Sequence, residues 1–178
     1  VNLSELERVE DLTAAKWNGR ICTRPGSHVY NRSLLASIIN ANGAVEAEKW
    51  ARGLVYNLAR RPQGNDRAQI KAIHSGECDL GLVNNYYYGK LLNSKVEEQR
   101  QWAKSVRLVF MNQKDRGNHV NISGGGLVKY SKNRGSFIIF YSSRQRHPCK
   151  RQLHLLGQYK KALVSLLTLP HDSRKQKE

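Results

Sequence analysis

Two periods of apolar spacing alternate along the chain. Short apolar runs at 20–23, 79–83 and 106–110 read as strands. Between them, Leu34, Leu35, Ile38 and Ile39 fall at helical spacing and predict a helix over 29–41, with Ser27 as its cap and Asn42-Gly43 as its stop. Ala47, Trp50, Ala51, Leu54 and Val55 share one face of a second helix over 44–58. Asn65 or Asp66 caps a third, which runs to His74 and stops at Ser75-Gly76. Shorter helices are predicted over 87–93 and 97–104. Residues 2–16 form a charged lead-in, and Trp17-Asn18-Gly19 is a turn. Strands alternating with helices of this length predict an α/β fold built on a largely parallel, open sheet.

The alternation is interrupted most sharply after the 79–83 run. Asn84-Asn85 is followed by Tyr86-Tyr87-Tyr88 and then Gly89. Paired asparagines mark chain reversals, and the carboxyl end of a strand is where open α/β sheets bind ligands. Adjacent side chains on a strand point to opposite faces, so these phenols converge only where the chain bends. A single tyrosine is ordinarily a half-buried ring with its hydroxyl bonded; three in a row at a turn ask for more. Converging phenolates are hard anionic donors suited to Fe(III). A phenol with its ordinary pKa near ~10 yields its proton only to a strong Lewis acid. Tyr30 falls in the first turn of the 29–41 helix, where the positive helix end lowers the cost of a phenolate. The N–H groups around Ser27 and His28 make the same turn a site for a small anion.

Composition adds a second theme. The 178 residues suffice for one domain, or one and a fraction, and no apolar run approaches the ~18 residues needed to span a bilayer. Net charge is +16, but ten Lys/Arg against two Asp/Glu lie in the last 45 residues, from Arg134 onward. That density, greatest at Arg144–Arg151, supports an alternative reading as a basic nucleic-acid-binding protein. In this tail 136–141 is strand-like and 159–169 is predicted helical, with Leu163, Leu166 and Leu167 on one side. Residues 120–128 read as two strands about a turn at Gly124-Gly125-Gly126. Cys22, Cys78 and Cys149 have no zinc spacing; Cys22 and Cys78 each open a strand and are either disulfide partners or two buried thiols. No phosphate-loop spacing and no Ser/His/Asp or Cys/His arrangement is present, which argues against an enzyme.

Four segments carry a family resemblance: Ser-His-Val-Tyr-Asn-Arg-Ser-Leu-Leu-Ala-Ser (27–37), Leu-Ala-Arg-Arg-Pro-Gln-Gly-Asn-Asp-Arg-Ala-Gln-Ile-Lys-Ala-Ile (58–73), Val-Asn-Asn-Tyr-Tyr-Tyr-Gly (83–89) and His-Val-Asn-Ile-Ser-Gly-Gly-Gly-Leu-Val-Lys (119–129). In order and spacing, from about 9 to 133, the chain resembles the periplasmic ferric-ion-binding proteins of bacterial iron(III) ABC importers. The resemblance implies a type II periplasmic-binding fold, mostly one lobe of two, with residues 1–118 as the iron-ligand lobe and 119–133 as the crossover toward the first lobe. It implies Fe(III) ligands at Tyr30, Tyr86 and Tyr87, with Tyr88 a neighbour. It implies an anion, carbonate or phosphate, at Ser27 and His28 with Asn84 and Asn65 close by. It further implies a monomer in the periplasm delivering iron to an inner-membrane ABC permease, with no nucleic-acid partner. The chain opens where the second lobe opens, without a signal peptide. Beyond 134 the resemblance fades into the atypical basic tail, a change of composition that a shift of reading frame would produce; a non-functional truncated product is a further alternative reading.

Overall fold

The computed structural model describes residues 3–121, 129, 130 and 132, and the backbone of Ser165–Thr168. Strand β1 (Ile21–Cys22) leads into α1 (Val29–Asn42) and α2 (Ala44–Tyr56). Helix α3 (Asp66–His74) then precedes β2 (Leu80–Val83), which leads into α4 (Asn85–Leu92) and α5 (Glu97–Lys104). Strands β3 (Arg107–Val109) and β4 (Ser165–Thr168) complete the sheet.

The sheet order is β1-β2-β4-β3. β1 lies parallel to β2, with Ile21 opposite Leu80 and Cys22 opposite Gly81. β4 runs antiparallel to both neighbours, pairing Leu80 with Thr168 on one side and Arg107 with Thr168 on the other. β1, β2 and β3 therefore point the same way, as the βα alternation predicts, and the tail strand is the exception. The helix expected over 159–169 is corrected here. Four of its residues are extended, because a slot between two strands offers backbone partners that override a weak helical period.

β2 is buried on both faces, which is why it reads as an unbroken apolar run. Leu80 and Leu82 join one cluster with Leu6, Leu12, Trp17, Ile38 and Trp50. Val83 joins the other with Cys22, Ile70, Ile73, Leu91 and Ala103. Gly81 lets α3 lie close, since a Cβ there would come 2.9 Å from Ile73 Cδ1. The two clusters lie on opposite faces, with α1 and α2 on one and α3 and α5 on the other.

The lead-in is more than a charged approach. It holds three 3₁₀ turns, Leu3–Glu5, Val9–Thr13 and Ala15–Trp17; Val9 and Leu12 are buried three apart in the second, the period of that helix, and Leu6, between the first two, is buried as well. Asn112, in the left-handed region at φ 57°, locks the lead-in to the end of β3: its Oδ1 accepts from Val9 N at 3.0 Å. Cys22 and Cys78 form a disulfide, with Cα atoms 5.9 Å apart, which settles the open alternative. Val120 and Asn121 form no strand; the glycine run 124–126 and the strand expected over 136–141 lie outside the described residues.

Candidate functional site

α1 and α4 both start where a strand ends. β1 leaves the sheet at Cys22 and reaches α1 at Val29, while β2 ends at Val83 and a single residue, Asn84, separates it from α4. Tyr30 is the second residue of α1, and Tyr86 and Tyr87 are the second and third of α4. α4 begins two residues earlier than its sequence pattern indicates, so the bend that gathers the phenols is the first turn of a helix.

The Tyr30 and Tyr86 hydroxyl oxygens lie 2.9 Å apart, joining residues 56 positions distant in sequence. The rings of Tyr86 and Tyr87 stack with centroids at 4.3 Å. Tyr88 instead packs against the cluster of Ile70, Val83 and Leu91. Burial pushes the Tyr86 phenol well above its ordinary range, and hydrogen bonds with Tyr30 and Tyr87 push the same way. The metal-free cluster therefore holds the Tyr86 proton. Two helix starts at one point favour negative charge there, and two cations lie over the rings. Arg24 Cζ is 5.1 Å from the Tyr30 centroid, and Lys90 Nζ is 5.4 and 5.6 Å from those of Tyr86 and Tyr87.

Of the residues expected to hold an anion, Ser27 is exposed. The cap of α1 is His28, whose ring Nδ1 accepts from Tyr30 N at 3.2 Å, so the expectation of Ser27 as cap is corrected. A histidine ring serves because its unprotonated nitrogen is an acceptor at hydroxyl-like reach. Asn65 Oδ1 accepts from Ala68 N at 3.1 Å and caps α3, as expected of it. Asn84 is buried and engaged on every side. Its N–H and its Nδ2 both donate to Asp66 Oδ1, at 2.7 and 3.2 Å, and its Oδ1 accepts from Asn121 Nδ2 at 3.1 Å. Asp66 Oδ2 accepts in turn from Arg24 Nη1. Sequence reasoning missed Arg24, Asp66 and Lys90. Their only signal is a charged residue within a few positions of a helix or strand end, which a solvated loop shares.

No group of three or more His, Cys, Asp or Glu that fits a metal ion occurs among the described residues. The three phenols are thus the cluster with oxygen donors at hand. A cavity of about 200 Å³ lies elsewhere, lined by Leu34, Ser37, Leu82, Met111, Arg116 and His119, and no tyrosine borders it.

No protein-family model matches the chain. Iron uptake protein A1 of Synechocystis is 48% identical over 140 residues, 79% of this chain. The solved Trichodesmium protein in complex with iron and citrate superposes with a TM-score of 0.74 at 49% identity, again over 79% of this chain. This chain is homologous to one part of the ferric-iron-binding proteins. It spans 39% of the Synechocystis protein and 45% of the Trichodesmium chain, so it corresponds to under half of such a protein. The ferric binding protein of Campylobacter jejuni gives a TM-score of 0.72 at 40% identity over 76% of this chain. The α/β fold is accordingly one lobe of the type II periplasmic-binding kind.

Proposed function

We propose that this chain is the tyrosine-bearing lobe of a solute-binding protein that carries Fe(III) to an inner-membrane ABC permease from the periplasm, acting as a monomer. The observation that carries the reading is the 2.9 Å approach of the Tyr30 and Tyr86 hydroxyls, with Tyr87 stacked beside them. Residues up to 118 form most of this lobe, 119–133 lead toward the other, and the basic tail 134–178 lends the lobe its strand β4.

Tyr30, Tyr86 and Tyr87 are the ferric ligands. Each gives up its proton as the ion binds, so affinity falls as pH falls. The two helix starts, together with Arg24 and Lys90, offset the negative charge that three phenolates bring. A small anion, carbonate or phosphate, sits at the first turn of α1 beside Ser27 and His28, where backbone N–H groups have no carbonyl partner within the helix. Asn84 lies near that place with its side chain committed within the fold, and Asn65 caps α3, which leaves Ser27 and the backbone as the principal donors. Lobe closure about the crossover completes the coordination.

The test is a titration with Fe(III) watched by visible absorbance. A phenolate-to-iron charge-transfer band should grow to one equivalent in the wild-type chain. It should vanish in Tyr86→Phe/Tyr87→Phe and weaken in Tyr30→Phe. An unchanged band in the double variant would refute the ligand assignment.

A further inference from the structure

The Arg24–Asp66 pair is nearly sealed from solvent. Side-chain exposure is 12% for Arg24 and 1% for Asp66. A buried ion pair is weak evidence for stability, since well-packed apolar residues often do as well. Arg24 Nε is moreover buried with no hydrogen-bond partner, a further cost. What the pair touches accounts for its presence. Asp66 holds Asn84 by two hydrogen bonds, and Asn84 is the residue from which α4 starts. Asn84 makes no side-chain capping bond to α4; its side chain is held by Asp66 and Asn121 instead. On the other side, the Arg24 guanidinium lies over the ring of Tyr30. The backbone that carries Arg24 is pinned as well: Asn31 Nδ2 donates to Arg24 O at 2.8 Å and to Thr23 Oγ1 at 3.1 Å.

We infer that Arg24 and Asp66 are positioning residues for the ferric site, one ion pair setting the distance between the phenol of α1 and the phenols of α4. The inference rests on the reading that these tyrosines bind Fe(III). Neither residue touches the metal. Asp66 fixes where the first turn of α4 begins, and Arg24 fixes the tilt of the Tyr30 ring. Without the pair, the two helix starts keep their folds but lose their common register.

The measurement is the ferric titration of the full chain, with charge-transfer maximum, affinity and melting temperature recorded for each variant. Arg24→Gln and Asp66→Asn should weaken iron binding by about 10- to 100-fold, as loss of outer partners of metal ligands does, and shift the band maximum. Arg24→Lys keeps the charge but loses the planar fork and the stacking, and should show the same shift; it carries the test should Asp66→Asn not fold. The double variant Arg24→Met/Asp66→Asn removes the stranded charge. Its melting temperature should recover while its affinity and band do not. Arg60→Gln is the control. Arg60 is also mostly buried, bonded to Glu77 and Gln69 with an unpartnered Nε, and borders none of the tyrosines. Its loss should lower the melting temperature and leave the band in place. Affinity that simply follows melting temperature across all five variants, or a band unmoved by Arg24→Gln, would overturn the positioning role while leaving the ligand assignment intact. A wild-type chain without any band would overturn both.

Discussion

An Arg–Asp pair sits at each end of the β1–β2 strands. At the entry end, Arg20 Nε meets Asp79 Oδ2 at 2.5 Å, and Arg20 also donates to Lys16 O and lies over Trp17. At the exit end, Arg24 meets Asp66, which in turn holds Asn84. The chemistry is the same, and the surroundings differ. Arg20 keeps 32% of its side-chain surface in solvent and staples the lead-in to β2, whereas Arg24 keeps 12% and lies over a phenol. The disulfide Cys22–Cys78 ties β1 to the segment just before β2, on the entry side. The entry end therefore holds the sheet, and the exit end holds the site.

That division sets the sizes of the effects expected. Asp66→Ala should be the most damaging, costing about 3–5 kcal/mol in denaturant unfolding, because it strands the Arg24 charge. Removing the disulfide with Cys22→Ala/Cys78→Ala should cost about 2–4 kcal/mol, since it closes a loop across a sequence separation of 56. Asp79→Asn, at the more open pair, should cost about 1–2 kcal/mol and leave the ferric band unchanged. An equal cost for Asp66→Ala and Asp79→Asn would erase the comparison.

Acid should produce the smallest effect, and it should act far from the site. Burial alone would raise the Glu10 carboxyl, but hydrogen bonds from Asn42, Arg116 and Asn112 outweigh it and hold the group at about 2, below its ordinary 4.5. A depressed carboxylate stabilises the fold above its unfolded value, and that contribution is lost as pH falls from about 4.5 toward 2. Glu10→Gln should flatten the dependence of melting temperature on pH across that window. Iron release in acid should persist in the same variant if, as proposed, the phenols hold the ion.

The sequence carried much of this layout, and its omissions have physical causes. α1, α2 and α3 were legible because Leu34 with Ile38, Ala47 with Trp50, and Asn65 before Ala68 mark faces and caps locally. The three-tyrosine run, with Tyr30 at another helix start, was legible as a cluster because helix and strand ends face the same edge. The lead-in was not, since Glu5, Glu7, Arg8, Glu10 and Asp11 conceal a spacing of three at Leu6, Val9 and Leu12. β4 was not, because pairing between Leu80 and Thr168 is set by a distant partner and leaves no local period. Asp66 read as one of two alternative caps for the third helix. Its bonds to Asn84 and Arg24 exist only once α3 is folded against β2.

The central claim is that the hydroxyls of Tyr30, Tyr86 and Tyr87 close on one ferric ion. The most direct test is anomalous diffraction at the iron edge from crystals of this chain grown with Fe(III). The account predicts a single peak within bonding distance of all three phenol oxygens, with the Tyr30–Tyr86 hydrogen bond broken to admit it. A peak placed elsewhere, with that hydrogen bond intact, would contradict it.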